Sequence, residues 1–128
     1  MQDFKRLEVW KKSHALVLET YAETANFPKS EIFGLTAQTR RAAVSIAANI
    51  AEGSARSGDK EFSRFLQIAL GSASEVEYFS ILMADLALLD KRRAAQIGND
   101  AVEIKRMLAG LIASLPAQRA RLAGEPDN

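Results

Sequence analysis

Apolar and polar positions along this chain follow the 3.6-residue period of an amphipathic helix in four successive segments. In the first, Leu7, Trp10, His14, Val17, Tyr21 and Thr24 recur at steps of three and four, while Lys11, Lys12, Glu19 and Glu23 fall elsewhere. This predicts a helix over 7–24 with those six residues facing inward. Asn26-Phe27-Pro28 stops it, because proline cannot continue the hydrogen-bond ladder and restrains the residue before it. In the connection 28–34, Ile32 and Phe33 are expected to plug the bundle end.

The second segment begins at Leu35 or Thr36, with Thr36 as a candidate cap, and ends at or just past Gly53, where glycine suits a left-handed terminal position. Its ten residues from Ala42 to Ala51 carry no charge. On a helical wheel it separates into three stripes. Leu35, Thr39, Ala42, Ala43, Ile46 and Ile50 form an apolar core stripe; Ala37, Val44, Ala47, Ala48 and Ala51 form a second stripe of small residues. Gln38, Arg41, Ser45, Asn49 and Glu52 form a polar seam between them, suited to fixing register through hydrogen bonds. Two apolar faces need two partners. The small face suits either a helix of another subunit, with Val44, Ala47, Ala48 and Ala51 as the oligomer interface, or further packing within the domain.

After a polar turn, Ser57 or Asp59 can cap a third helix predicted over 59–89, with Phe62, Phe65, Leu66, Ala69, Ala73, Val76, Phe79, Met83 and Leu86 on its apolar positions. Such a helix would be about 45 Å long. Gly71 lies in its middle, where it is costly against alanine unless close packing needs it. Asp90 is the expected break and N-cap of a fourth helix over 91–115, whose Ala94, Ile97, Ala101, Ile104, Leu108, Leu111 and Leu115 approach a heptad seam. Pro116 ends it. The tail 117–128 has little to bury and is expected to be flexible. With no sustained period-two alternation, the expectation is an all-α fold: an antiparallel up-down-up-down four-helix bundle over 1–116.

Composition narrows the function classes. The chain has 128 residues, 48% of them hydrophobic, enough for one core. It has no cysteine, hence no disulfide, thiolate metal site or cysteine nucleophile, which fits the cytoplasm. No apolar run approaches the ~18 residues of a membrane span, and the first residues run into charge rather than an apolar signal core. A single histidine cannot supply the Glu-x-x-His pairs of a di-iron bundle, and His14 reads as a core or interface side chain. Glu52, Glu75 and Glu77 are the acids nearest the apolar stripes; a structural ion pair, for example Glu75 with Arg41, is favoured over paired acid–base catalysis. No phosphate loop, nucleophile elbow or metalloprotease run occurs. The expectation is a protein without catalytic residues, cofactor or metal.

The net charge of +1 is far from that of a strongly basic nucleic-acid binder, so any electrostatic footprint lies in the distribution. Residues 35–58 carry +2, residues 59–89 carry −3 and residues 90–116 carry +2. Arg56, Lys60 and Arg64 gather near the second turn, and Lys91, Arg92 and Arg93 open the fourth helix. These six are the candidate nucleic-acid contacts; a solvated surface is the alternative. An oligomer would repeat each cluster, and phosphate affinity grows with the charges engaged.

The pieces LTAQTRRA, SIAANIAEG and RFLQIALGS, followed by Glu75 and, near the end, IKRMLAGLIASL, resemble the family of four-helix bundles named after proteins encoded in intervening sequences of bacterial 23S ribosomal RNA genes. The likeness runs from about Phe4 to Leu115. It implies a left-handed bundle that assembles as a ring, typically a homopentamer. It also implies kinship with the accessory variability protein of diversity-generating retroelements, a basic pentamer that binds nucleic acid. Arg40, Arg41, Ser45, Asn49, Glu52, Gly53, Gly71, Ser72 and Glu75 match the family motif. Where the family often places proline this chain has Ala47, so a straighter second helix is expected. Together these readings suggest an oligomeric scaffold associated with RNA or DNA, or a protein–protein interaction module with no nucleic-acid binding.

Overall fold

The computed structural model describes residues 3–56, 58–116 and 124. The expected flexible tail 117–128, apart from Gly124, and the candidate cap Ser57 lie outside the described residues. Four helices, α1 (Glu8–Thr24), α2 (Leu35–Ala55), α3 (Asp59–Asp85) and α4 (Lys91–Ser114), follow in order, with short 3-10 turns at Phe4–Arg6 and Lys29–Glu31. Each packs on its neighbour in sequence and α1 closes against α4, while among the described residues the backbones of the two diagonal pairs stay apart and only their side chains share the core. That is the packing of an antiparallel up-down-up-down bundle.

The core stripe predicted for α2 is buried throughout: Leu35, Thr39, Ala42, Ala43, Ile46 and Ile50. It meets Phe62, Leu66, Ala69, Ala73, Val76 and Met83 of α3 and Ala94, Ile97, Ala101, Ile104 and Leu108 of α4 in one continuous core.

The inward face of α1 differs from the expectation. Val9, Ser13, Leu16, Thr20 and Thr24 are its buried residues, whereas His14 and Tyr21 are exposed and Trp10 and Val17 lie at the margin. Hydroxyl groups make this possible. Ser13 Oγ donates to the Val9 carbonyl at 2.7 Å and Thr24 Oγ1 to that of Thr20 at 2.8 Å, so these polar side chains enter the core with their hydrogen bonds made within their own helix. Trp10 instead covers the outer edge, with Phe4 5.0 Å away edge-on and His14 stacked on it at 5.1 Å.

Helix ends also depart from expectation. At the start of α2 the capping position is Gly34, not Thr36, and Glu31 Oε1 accepts from the Leu35 amide at 3.1 Å. At its end Gly53 is still helical. A Cβ there would lie 2.8 Å from Phe65 Cβ and 3.0 Å from Phe62 Cδ1, so glycine serves a close helix–helix approach. The positive φ falls at Gly58, at 89°, which is also the N-cap position of α3 in place of Ser57 or Asp59.

α3 ends at Asp85, short of Leu89. Ala87 takes a left-handed φ of 57°, its amide donates to Ala84, and the Leu88 amide reaches back to the Met83 carbonyl at 2.9 Å. This is a Schellman termination with alanine where glycine is usual. Asp90 caps α4 as expected, accepting from the Arg93 amide at 2.9 Å. Ile32 and Phe33 do not plug the bundle end; they are 50% and 94% exposed.

Candidate functional site

Three regions bear on function: the outer side of α2, the α2–α3 seam, and the basic clusters. On the outer side of α2, Val44 is 41% exposed, Ala48 is exposed, and Ala37, Ala47 and Ala51 are half-buried. Among the described residues, the stripe of small residues therefore has no helix over Val44 and Ala48. By helical position Ile68 and Gly71 of α3 continue this surface on the α2 side. Ile68 is 42% exposed, and nothing approaches within 4 Å of where a Cβ on Gly71 would stand. Between Val44 and Ala48 of α2 and Ile68 and Gly71 of α3 runs the polar seam, whose Gln38, Arg41 and Glu52 are exposed and whose middle is hydrogen-bonded.

Ser45 and Ser72 hydroxyls meet at 2.8 Å in that seam, and Asn49 Nδ2 donates to the Ser45 carbonyl at 2.8 Å and to its hydroxyl at 3.0 Å. Higher up, Gln38, Arg41, Ala42, Ser45 and Glu75 line a groove of about 110 Å³. Arg41 and Glu75 thus face one depression, yet no ion pair joins them within 4.0 Å, contrary to the expected bridge. Both are exposed, where water solvates the charges and little is gained by holding two side chains together. Glu52, at the lower end of the seam, is engaged by Arg56 at 2.6 Å. Glu77 faces the other way and accepts from Lys105 of α4 at 2.9 Å.

The six candidate phosphate contacts divide between the two ends of the bundle, because α3 runs the length of about 40 Å between them. At one end the guanidinium groups of Arg56 and Arg64 lie over the Phe65 ring, 5.3 Å and 4.5 Å from its centroid. Arg64 also bonds Glu61 at 3.0 Å, which raises the guanidinium pKa above its ordinary value and holds the Glu61 carboxyl below its own. At the other end Arg93 pairs with Glu23 of α1 and with Asp90, the hydrogen bond to Glu23 raising its pKa. Lys60, Lys91 and Arg92 are exposed, and none of them forms an ion pair among the described residues. The local runs of charge were readable in sequence. So were the helical neighbours Glu52, Glu61 and Asp90 that pair with Arg56, Arg64 and Arg93, whereas the bond of Arg93 to Glu23, 70 residues away, was not.

A further charged group escaped the sequence reading. Glu19 on α1 stands against Asp100 of α4, with Lys12 3.6 Å from the same aspartate. Burial first, then the hydrogen bond and negative charge of Asp100 and the charge of Glu23, push the Glu19 carboxyl up to about 7, with Lys12 opposing. Its position three residues after Leu16 and four before Glu23 gave the only hint. Among the described residues no group of three or more His, Asp or Glu side chains is placed to hold a metal ion, and no helix is long and apolar enough to cross a membrane.

Comparison with known proteins agrees with this architecture. The chain is similar to a crystal structure of a protein with unknown function from the S23 ribosomal protein family of Bacteroides thetaiotaomicron VPI-5482. The two share 28% sequence identity with a TM-score of 0.74, over 83% of this chain and 99% of the other. No curated protein matches the chain. Residues 5–110, which include all four helices up to the last turn of α4, match the family described as 23S rRNA-intervening sequence protein, and the chain belongs to that family.

Proposed function

We propose that this protein is a non-catalytic, cytoplasmic scaffold whose bundles assemble into a ring and present repeated basic positions to RNA. The observation that carries this reading is the uncovered stripe of α2, where Val44 and Ala48 are exposed and no charge interrupts the run from Ala42 to Ala51. A second copy is the natural cover for a small-residue face, since small side chains let helix backbones approach closely. The resemblance to pentameric relatives and to the retroelement accessory protein supports a ring of five. Exposed Lys60, Lys91 and Arg92, with no carboxylate partner among the described residues, support phosphate contact. Assembly multiplies these few charges, which compensates for a net charge of only +1 per chain.

A filter-binding titration against structured RNA across a salt series tests the RNA part. Binding at low salt that weakens log-linearly with salt is expected. No binding at low salt, or binding without a salt slope, contradicts it. The pairing of Arg56, Arg64 and Arg93 with carboxylates favours a second reading, a protein-interaction ring whose charges serve solubility. Co-purification with a protein partner and no nucleic-acid absorbance would select that reading.

A further inference from the structure

The end of the bundle formed by the α1–α2 and α3–α4 connections combines two features that the fold does not use. Phe33 is 94% exposed, and a ring held almost wholly in water has no packing role within the chain. Ile32 beside it and Leu86 on the other connection are each about half exposed. Lys29, Lys91 and Arg92 stand exposed at the same end and form no ion pair among the described residues. The acids there are largely committed: Glu31 accepts from the Leu35 amide, Asp90 caps α4 and meets Arg93. Asp85 shares a shallow cleft with Lys91.

From this juxtaposition we propose that this end is the RNA-contacting face and that it takes unpaired rather than duplex RNA. Phe33 serves as a stacking platform for one base, and Lys29, Lys91 and Arg92 contact the flanking phosphates. Single strands are recognised by an accessible aromatic face beside cations that follow the backbone, and a duplex has no free base face to offer. At the opposite end none of the aromatic residues Phe4, Trp10, Phe62 and Phe65 is exposed: Phe62 is buried, Phe65 is buried beneath Arg56 and Arg64, and Phe4 and Trp10 are half-buried against each other. The inference rests on the proposed RNA association and specifies where and in what form RNA binds.

Fluorescence anisotropy with a labelled 20-nucleotide single-stranded RNA and the corresponding duplex provides the test. The full chain should prefer the single strand. Phe33→Ala and Phe33→Leu should each weaken it roughly 5- to 150-fold, the range for loss of one stacked base, and Phe33→Tyr should bind like the parent. The double variant Lys91→Ala/Arg92→Ala should flatten the salt slope. If Phe33→Leu binds like the parent protein, or duplex is preferred, this site is wrong while RNA association stands. If the parent binds neither RNA at low salt, both readings fail. A fall in assembly mass on Phe33→Ala would reassign the ring to contact between copies and overturn the proposal.

Discussion

Ser45 of α2 and Ser72 of α3 share a hydroxyl–hydroxyl hydrogen bond of 2.8 Å at the middle of the seam beneath the uncovered α2 stripe. Asn49 Nδ2 also donates to the Ser45 hydroxyl, so the two substitutions are unequal. Ser72→Ala leaves Ser45 with Asn49 and should cost about 0.5–1 kcal/mol. Ser45→Ala removes both side-chain bonds and should cost about 1–2 kcal/mol. Urea unfolding of the two single variants and the double variant gives the coupling directly, and an additive result would show that the bond contributes nothing.

Three glycines within helices should respond differently to alanine. At Gly53 the new Cβ would sit 2.8 Å from Phe65 Cβ, an atom fixed close to the α3 backbone, so Gly53→Ala should lose about 2–3 kcal/mol. At Gly98 the clash is with Ser80 Oγ at 2.6 Å, which can rotate away from its bond to the Glu77 carbonyl. That variant should lose about 1 kcal/mol and recover part of it with Ser80→Ala. Gly71 has open space, and Gly71→Ala should gain up to ~1 kcal/mol of helix stability in the isolated chain. Thermal melts rank the three.

Ala87 closes α3 in a left-handed conformation, with φ of 57°. Glycine relieves the Cβ strain there, and Ala87→Gly should stabilise the bundle by about 1 kcal/mol although it removes a methyl group. A lower midpoint in urea would contradict the strain assigned to this turn.

Glu19 should make stability depend on pH. Its carboxyl titrates near 7 in the folded chain against an ordinary 4.5, so the folded state binds more protons than the unfolded state between those values. Stability from this group is fully present below about pH 4.5 and is lost as pH rises through 7. Because the side chain is only partly buried, the loss should be no more than about 1 kcal/mol. Glu19→Gln should flatten the profile over this window and be the more stable protein at pH 8, as read by denaturation at several pH values.

These outcomes also show which features were legible in the amino-acid sequence. The α2 core stripe was, because Leu35, Ile46 and Ile50 are large, apolar and in period. The α1 face was not. There Ser13 and Thr24 act as core residues by bonding their own helix, while the more hydrophobic-looking Trp10 and Tyr21 cover the outside, Tyr21 lying 4.5 Å beneath the Arg40 guanidinium. The end of α3 was hidden because alanine, not glycine, takes the left-handed position. Wheel geometry brought Arg41 and Glu75 to one groove, but a wheel carries no information on whether two exposed side chains close to bonding distance. The basic runs and the helical neighbours Glu52 of Arg56 and Glu61 of Arg64 were visible locally, and only the fold revealed Glu23 as the partner of Arg93.

If copies meet through the outer stripe of α2, the mass of the particle in solution reports it. Light scattering on the intact protein should give a particle several times the 14.0 kDa of one chain. Val44→Arg or Ala48→Arg places a charge on the exposed stripe and should reduce that mass to the single chain, with helicity by circular dichroism almost unchanged. A parent protein that stays at 14.0 kDa at tens of micromolar, or an Ala48→Arg variant that keeps the full assembly mass, would rule out assembly through this face of α2.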